Sequence, residues 1–157
     1  MVYFVIIRGP LGVGKTTVSE RLAKEIGAEY LSIDRILDDH GLWEEGLLSE
    51  FLQANAIAVE RGERSLARGV PVVFDGNFYW KSQIEDLIGR LPYRHFEFTL
   101  RAPLELCIER DGYRGVPHGP EAAREVYAKS TAFDWGVEID ATRPLETIVG
   151  EIRSQLR

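Results

Sequence analysis

The run Gly9-Pro10-Leu11-Gly12-Val13-Gly14-Lys15-Thr16-Thr17 constrains this chain more than any other feature. It fits the pattern G-x-x-x-x-G-K-[ST], and it joins two segments of opposite character. Before it, the apolar stretch Val2 to Ile7 reads as a fully buried strand. After it, Thr16 to Ile26 reads as a helix, with Gly27 placed to stop it. A strand that turns through glycines directly into a helix gathers backbone N–H groups and the positive helix end at one place. Lys15 adds a point charge there, and the Thr16 hydroxyl suits a Mg²⁺ that bridges phosphates. The expected ligand is a nucleoside triphosphate held by Gly9, Gly12, Val13, Gly14, Lys15, Thr16 and Thr17.

Composition narrows the setting. The 157 residues, 45% hydrophobic and 28% charged, read as one globular domain spanning 1–157. No apolar run approaches a membrane span, and the first strand, flanked by Arg8, lacks a signal-peptide layout. Cys107 is the only cysteine, which rules out an intrachain disulfide; a cytoplasmic location is expected. A net charge of −6 disfavours a general nucleic-acid surface.

Strand and helix signals then alternate. Ala28 to Ile33 reads as a second strand ending at Asp34, and Glu45 to Arg68 as a long helix closed by Gly69. Val70 to Phe74 is a third strand leading to Asp75-Gly76-Asn77; Lys81 to Leu91 is helical. Tyr93 to Leu100 reads as a fourth strand, and Pro103 opens a helix reaching Asp111. A turn-rich segment, 112–120, precedes helical patterning from Glu121 to Lys129, which together read as a lid over about 112–130. Trp135 to Ile139 is a fifth strand, and Pro144 to Leu156 a final helix. This alternation predicts an α/β fold, a parallel sheet with helices on both faces and ligands bound beyond the carboxyl ends of the strands.

At those ends lie the candidate reactive groups. Asp34 is either a carboxylate facing the triphosphate, as general base or Mg²⁺ ligand, or a helix cap or surface acid near Asp38 and Asp39. Asp75 follows Val72-Val73-Phe74 in the manner of a Walker B acid, as metal ligand or acceptor contact; the alternative is a turn-forming Asp before Gly76. Asn77-Phe78-Tyr79-Trp80 reads as the wall of an acceptor pocket or as core. Arg110, Arg114 and Arg124 are lid cations that could neutralise charge during phosphoryl transfer, or plain surface arginines. No His/Cys/carboxylate set has zinc-ligand spacing.

On these motifs the chain resembles the small P-loop kinases related to the nucleoside-monophosphate kinases, over nearly its whole length. Within that group it looks most like the branch of chloramphenicol phosphotransferase and the polynucleotide 5′-kinases. The resemblance implies a P-loop NTPase fold with strand order 2-3-1-4-5, and ATP with Mg²⁺ held by Thr16 and Asp75. It implies Asp34 as base or as the group that orients the acceptor hydroxyl, Arg110 and Arg114 on the donor phosphates, and Asp140, Thr142 and Arg143 beside the adenine; the expected catalytic set is Lys15, Asp34, Arg110 and Arg114.

The combined expectation is an ATP-dependent kinase acting on a small-molecule hydroxyl, as monomer or homodimer, without a membrane partner. The alternatives are a polynucleotide or nucleotide 5′-hydroxyl kinase and an NTPase switch module without an acceptor. The chain shows no N-K-x-D guanine motif that would favour the switch. Lys15→Ala is expected to abolish triphosphate-dependent activity while leaving the fold intact, as read by nucleotide turnover alongside circular dichroism.

Overall fold

In the computed structural model, which describes residues 1–42, 45–113, 115 and 117–157, the first apolar run becomes β1 (Tyr3–Arg8) at the centre of a parallel sheet. Its alternate side chains are buried on both faces. Phe4 and Ile6 enter one core, and Val5 and Ile7 enter the other. That two-sided burial is why the strand is apolar throughout instead of alternating.

The glycine run leads into α1 (Lys15–Ile26), which is followed by β2 (Glu29–Ser32) and α2 (Ile33–Asp39). Next come α3 (Leu48–Ala67), β3 (Val72–Gly76), α4 (Lys81–Arg90), β4 (Arg94–Arg101) and α5 (Leu104–Gly112). The chain ends with α6 (Pro120–Ser130), β5 (Val137–Asp140) and α7 (Leu145–Ser154). The strands run in the order β2-β3-β1-β4-β5, all parallel, as the resemblance implied. On one face Phe51, Ala54 and Ala58 of α3, with Ile84 and Leu87 of α4, cover Phe4, Ile6 and Phe74. On the other, Val18 and Leu22 of α1 and Ile148, Val149 and Ile152 of α7 cover Val5, Ile7 and Leu100. The alternation of strand and helix requires both faces to be covered, and the right-handed crossover of each parallel connection places them there.

Two local expectations are corrected. The second strand stops at Ser32, and Asp34 lies in the first turn of α2, a helix that the strand reading had absorbed. The Ser32 hydroxyl accepts a hydrogen bond from the Arg35 backbone N–H at 3.1 Å and so caps α2. The signal was present: Ile33, Ile36 and Leu37 fall at i, i+3 and i+4 and are all buried. Asp75 lies within β3, opposite Ser32 and Ile7, because the strand runs two residues further than its apolar residues.

Arg8 ends β1 with a fully buried guanidinium. It donates to the Ser130 carbonyl at 2.8 Å, to the Phe78 carbonyl at 3.3 Å and to the Thr99 hydroxyl at 3.2 Å, and lies 4.4 Å from the Phe133 ring centroid. Burial lowers its pKa to about 10, so it stays charged at neutral pH. This one side chain ties the end of α6 to the segment after β3.

Helix α3 approaches β3 closely at Gly62, where a Cβ would stand 2.8 Å from Phe74 Cζ. Ala exceeds Gly in helix propensity by ~1 kcal/mol. Overpacking a core costs ~1–3 kcal/mol, so the clash prevails. Gly62→Ala is therefore expected to lower the urea midpoint of unfolding.

Candidate active site

The site starts from the turn between β1 and α1. Gly12 has φ of +81°, and a Cβ there would stand 2.1 Å from the Cys107 carbonyl oxygen of α5, so only glycine fits. Gly14 occupies the N-cap of α1 with no side-chain cap, and the first turn carries no acidic residue. The first backbone N–H groups of a helix have no acceptor within it, and here they remain directed at the turn. Lys15 is buried, its Nζ 3.2 Å from the Pro10 carbonyl oxygen, while Thr16 and Thr17 are exposed. The result is a concave donor surface of positive potential.

Two cavities flank this turn. The first, of about 400 Å³, is bounded by Gly12, Val13, Gly14 and Thr17 on the turn side and by Arg110, Tyr113 and Arg143 around its rim. Its floor is Val18, Ala141, Leu145 and Ile148. Arg110 Nη1 donates to the Val13 carbonyl at 3.0 Å, which fixes the guanidinium against the turn. An apolar slot bordered by two guanidiniums suits a planar heteroaromatic group linked to phosphates.

The second cavity, of about 560 Å³, holds Lys15, Thr16, Asp34, Asp38, Asn77 and Tyr79 on its wall. Ser32, Arg35 and His118 also border it, and Ala122 and Val126 of α6 close it. Asp34 and Asp38 lie one turn apart on α2 and so share a face. Burial pushes the Asp34 carboxyl up to about 6, with Lys15 pulling down and Asp75 pushing up more weakly. Its Oδ1 is buried without a hydrogen-bond partner. Burial likewise raises Tyr79, with Asp34 adding to the shift. A carboxylate on the wall of a cavity, with its pKa raised by burial, is able to accept a proton from a hydroxyl bound there.

Behind the turn, Asp75 is 1% exposed and accepts a hydrogen bond from the Tyr30 hydroxyl at 2.7 Å. Burial raises its pKa, against the hydrogen bond from Tyr30 and the charge of Lys15. Burial and Asp75 also raise the Tyr30 hydroxyl.

The start of α6 is anchored by Asp111, which is 1% exposed near the end of α5. It accepts from the backbone N–H of Gly119 at 2.9 Å and of His118 at 3.0 Å, and its Oδ1 lies 3.1 Å from His118 Nδ1. Burial works against the charge, but these hydrogen bonds outweigh it and hold the carboxyl below its usual range. The tether sets where α6 begins, and hence where Ala122 and Val126 stand.

Against known proteins, the family described as AAA domain matches residues 4–133. The chain belongs to the AAA domain family. No curated protein matches it in sequence. Among solved structures it is similar to a sugar kinase from Janibacter sp. HTCC2649, at a TM-score of 0.83 and 19% identity over 99% of this chain and 95% of that one. It is similar to a gluconokinase from Sinorhizobium meliloti 1021, at 0.73 and 20% identity over 94% and 87%. It is also similar to a shikimate kinase from Acinetobacter baumannii solved with shikimate, at 0.66 and 19% identity over 100% and 97%. At these identities the likeness shows the P-loop kinase fold.

In this AAA domain protein Lys15, Thr16 and Asp34 line the second cavity, and Gly12, Val13, Gly14, Thr17 and Arg110 line the first. Arg143 reaches the first cavity, whereas Asp140 and Thr142 border a separate hollow with Arg101 and Tyr127. The Asp140 carboxylate accepts from the Thr142 N–H at 2.9 Å and from its hydroxyl at 2.6 Å, closing the turn that carries Arg143. Phe78 is core, Trp80 packs beside it, and only Asn77 and Tyr79 of that segment border the second cavity. Arg124 is exposed and borders neither cavity; Arg114 lies outside the described residues. Ser32, Arg35, Asp38, Tyr113 and His118 were not singled out from sequence. Only Asp38 carried a signal, its i+4 spacing from Asp34 on a helix the strand reading hid.

The raised Asp34 pKa has a stability consequence. The folded chain binds this proton more tightly than the unfolded one, so the ionised carboxylate destabilises the fold as pH rises from about 4 through about 6. Asp34→Asn is expected to be more stable than the parent by roughly 2 kcal/mol at pH 8 and about equal to it at pH 4. Thermal denaturation at the two pH values measures this.

Proposed function

We propose that this protein is an ATP-dependent phosphotransferase that moves the γ-phosphoryl group to a hydroxyl of a small-molecule acceptor. One arrangement carries the reading: two cavities meet at the glycine turn, and the second brings Asp34 to the wall that holds Lys15 and Thr16. A phosphate chain laid across the turn places its terminal phosphoryl group beside an acceptor in that cavity. Similarity to structures named gluconokinase, sugar kinase and shikimate kinase supports a small acceptor, and the net charge of −6 argues against a polyanionic one.

The adenine and ribose would occupy the first cavity between Arg110, Tyr113 and Arg143. The α1 N-terminus and Lys15 would hold the β- and γ-phosphates. The donors around Thr16 fit Mg²⁺: an exposed hydroxyl beside Lys15, with the buried Asp75 carboxylate near enough to Lys15 to feel its charge. Thr16 would hold the ion directly and Asp75 would orient its water; when bound, Mg²⁺ supplies neutralising charge to the phosphate oxygens.

Asp34 accepts the acceptor's O–H proton as that oxygen bonds to the γ-phosphorus and the bond to the ADP oxygen breaks. A carboxyl that titrates near 6 is ionised at neutral pH yet basic enough to take that proton. Arg110, held against Val13, neutralises charge on the transferring group, with Arg114 as a second candidate for that role. The closure of α6 over the second cavity limits water as a competing acceptor.

ADP release from ATP and Mg²⁺, measured across a panel of small hydroxyl compounds beside a 5′-hydroxyl oligonucleotide, tests the assignment. Strong stimulation by one small-molecule class is expected; a flat rate with every compound despite tight ATP binding would overturn it. Asp34→Asn is expected to lower transfer by about 10²–10⁴-fold with ATP affinity nearly unchanged. Turnover of the parent protein is expected to fall as pH drops through about 6, where Asp34 takes up its proton.

A further inference from the structure

The transfer chemistry leaves one buried cation unused. Arg8 ends β1, paired with Gly76 of β3 on one side and with Thr99 of β4 on the other. The acceptors of its hydrogen bonds are neutral, two backbone carbonyls and a hydroxyl, and the charges of Arg101 and Asp134 act on it in opposite senses. A buried cation held in that way adds little to stability, and an apolar side chain of similar volume would fill the space at less cost. What the guanidinium supplies is direction: a planar fork that fixes several acceptors at once.

Those acceptors sit on the two sides of the second cavity. The Phe78 carbonyl belongs to the residue between Asn77 and Tyr79, both on the cavity wall. Phe78 has φ of +50°, a left-handed conformation that a bulky side chain rarely adopts and that persists only where its surroundings impose it. Its ring is wholly buried, and a Cβ at Gly76 would stand 3.1 Å from both Phe78 Cε2 and Ile33 Cβ. Ile33 opens α2, the helix of Asp34. The Ser130 carbonyl closes α6, whose Ala122 and Val126 form the opposite wall. Along the chain, Arg8 leads directly into Gly9 and the glycine turn. One guanidinium therefore meets both walls of the cavity and ends the strand from which the phosphate-binding turn departs.

We propose that Arg8 is the positioning residue of the second cavity: through the Phe78 turn and the end of α6 it holds the two walls at a fixed separation and so limits the entry of water. The coupling of the walls rests on this geometry alone, whereas the exclusion of water during transfer rests also on the phosphotransferase reading. Lys15 is held by the Pro10 carbonyl, and Asp34 by the first turn of α2 with its Ser32 cap. Releasing the walls thus leaves the reactive groups in place and opens them to solvent.

The test compares the full chain with Arg8→Met, which removes the donors, and Arg8→Lys, which keeps a charge without the fork. Hydrogen exchange read by mass spectrometry is expected to quicken by about tenfold in peptides covering 77–80 and 120–131, and to stay as in the parent over α1 and β3. Should Arg8→Met not fold, Arg8→Lys carries the same comparison. Quickening that extends equally over α1 and β3 marks a role in overall stability and overturns the proposal, as does loosening of one wall without the other. ADP release from ATP and Mg²⁺ without added acceptor, which measures transfer to water, is read separately. It is expected to rise about threefold in the variants with ATP affinity within about twofold of the parent's, a result that general damage to the fold would not give. Unchanged or lower release with both walls loosened overturns the water-excluding role. No release by parent or variants, even with the panel of hydroxyl compounds, overturns the phosphotransferase reading and leaves the hold of Arg8 on the two walls standing.

Discussion

The site depends on an electrostatic balance around one buried ammonium group. Lys15 sits at the first position of α1, where the helix end is positive and a cation is poorly placed. The carboxylates of Asp34 and Asp75, both raised by burial, supply the compensating charge, and each is pulled back down by Lys15. None of the three would be tolerated alone at this depth, because an isolated buried charge is costly to desolvate. Together they form a site that gains from an anion beside Lys15 and from a proton at Asp34. Phosphoryl transfer calls for those two events.

The scaffold makes this balance possible by where its strands stop. β1, β2 and β3 end at Arg8, Ser32 and Gly76, side by side in the sheet, with Ser32 paired to Asp75 and Arg8 to Gly76. Each end delivers one component: the glycine turn, the acid-bearing α2, and the buried Asp75. Parallel strands bring their carboxyl ends to one edge, so three segments distant in sequence become neighbours without special contacts. The opposite wall comes from α6, located by the Asp111 hydrogen bonds at its start and by Arg8 at its end. Helix α6 is therefore anchored at both ends in the domain.

Much of this was readable in the residues. The glycine run, Lys15 and Thr16 are bound to one local geometry, so their grouping needs no tertiary information. Arg110 and Asp34 were identifiable from residue type and from their place near element ends. Asp34 was nevertheless misplaced by one element, because Ser32-Ile33-Asp34 continues the apolar strand while it also starts a helix, and only the Ser32 cap resolves the two. Tyr79 and Asn77 were legible as a candidate wall; Trp80, next in sequence, borders a neighbouring hollow and not the second cavity. Asp140 and Thr142 were assigned by resemblance to the nucleotide, yet their hydrogen bonds are spent within their own turn.

The sequence by itself determined the local and periodic parts: the α/β alternation, the two-sided burial of β1 and the phosphate-binding turn. These follow from side-chain patterning and glycine stereochemistry over a few residues, which act before any distant contact forms. Tertiary structure decided the Asp34 environment and the division between two cavities. Each depends on groups far apart in the chain: Lys15 and Asp75 around Asp34, α5 against Gly12, and α6 across from α2 and α3. Charge shifts and cavity shape are sums over neighbours, and a sequence does not order its residues by neighbourhood.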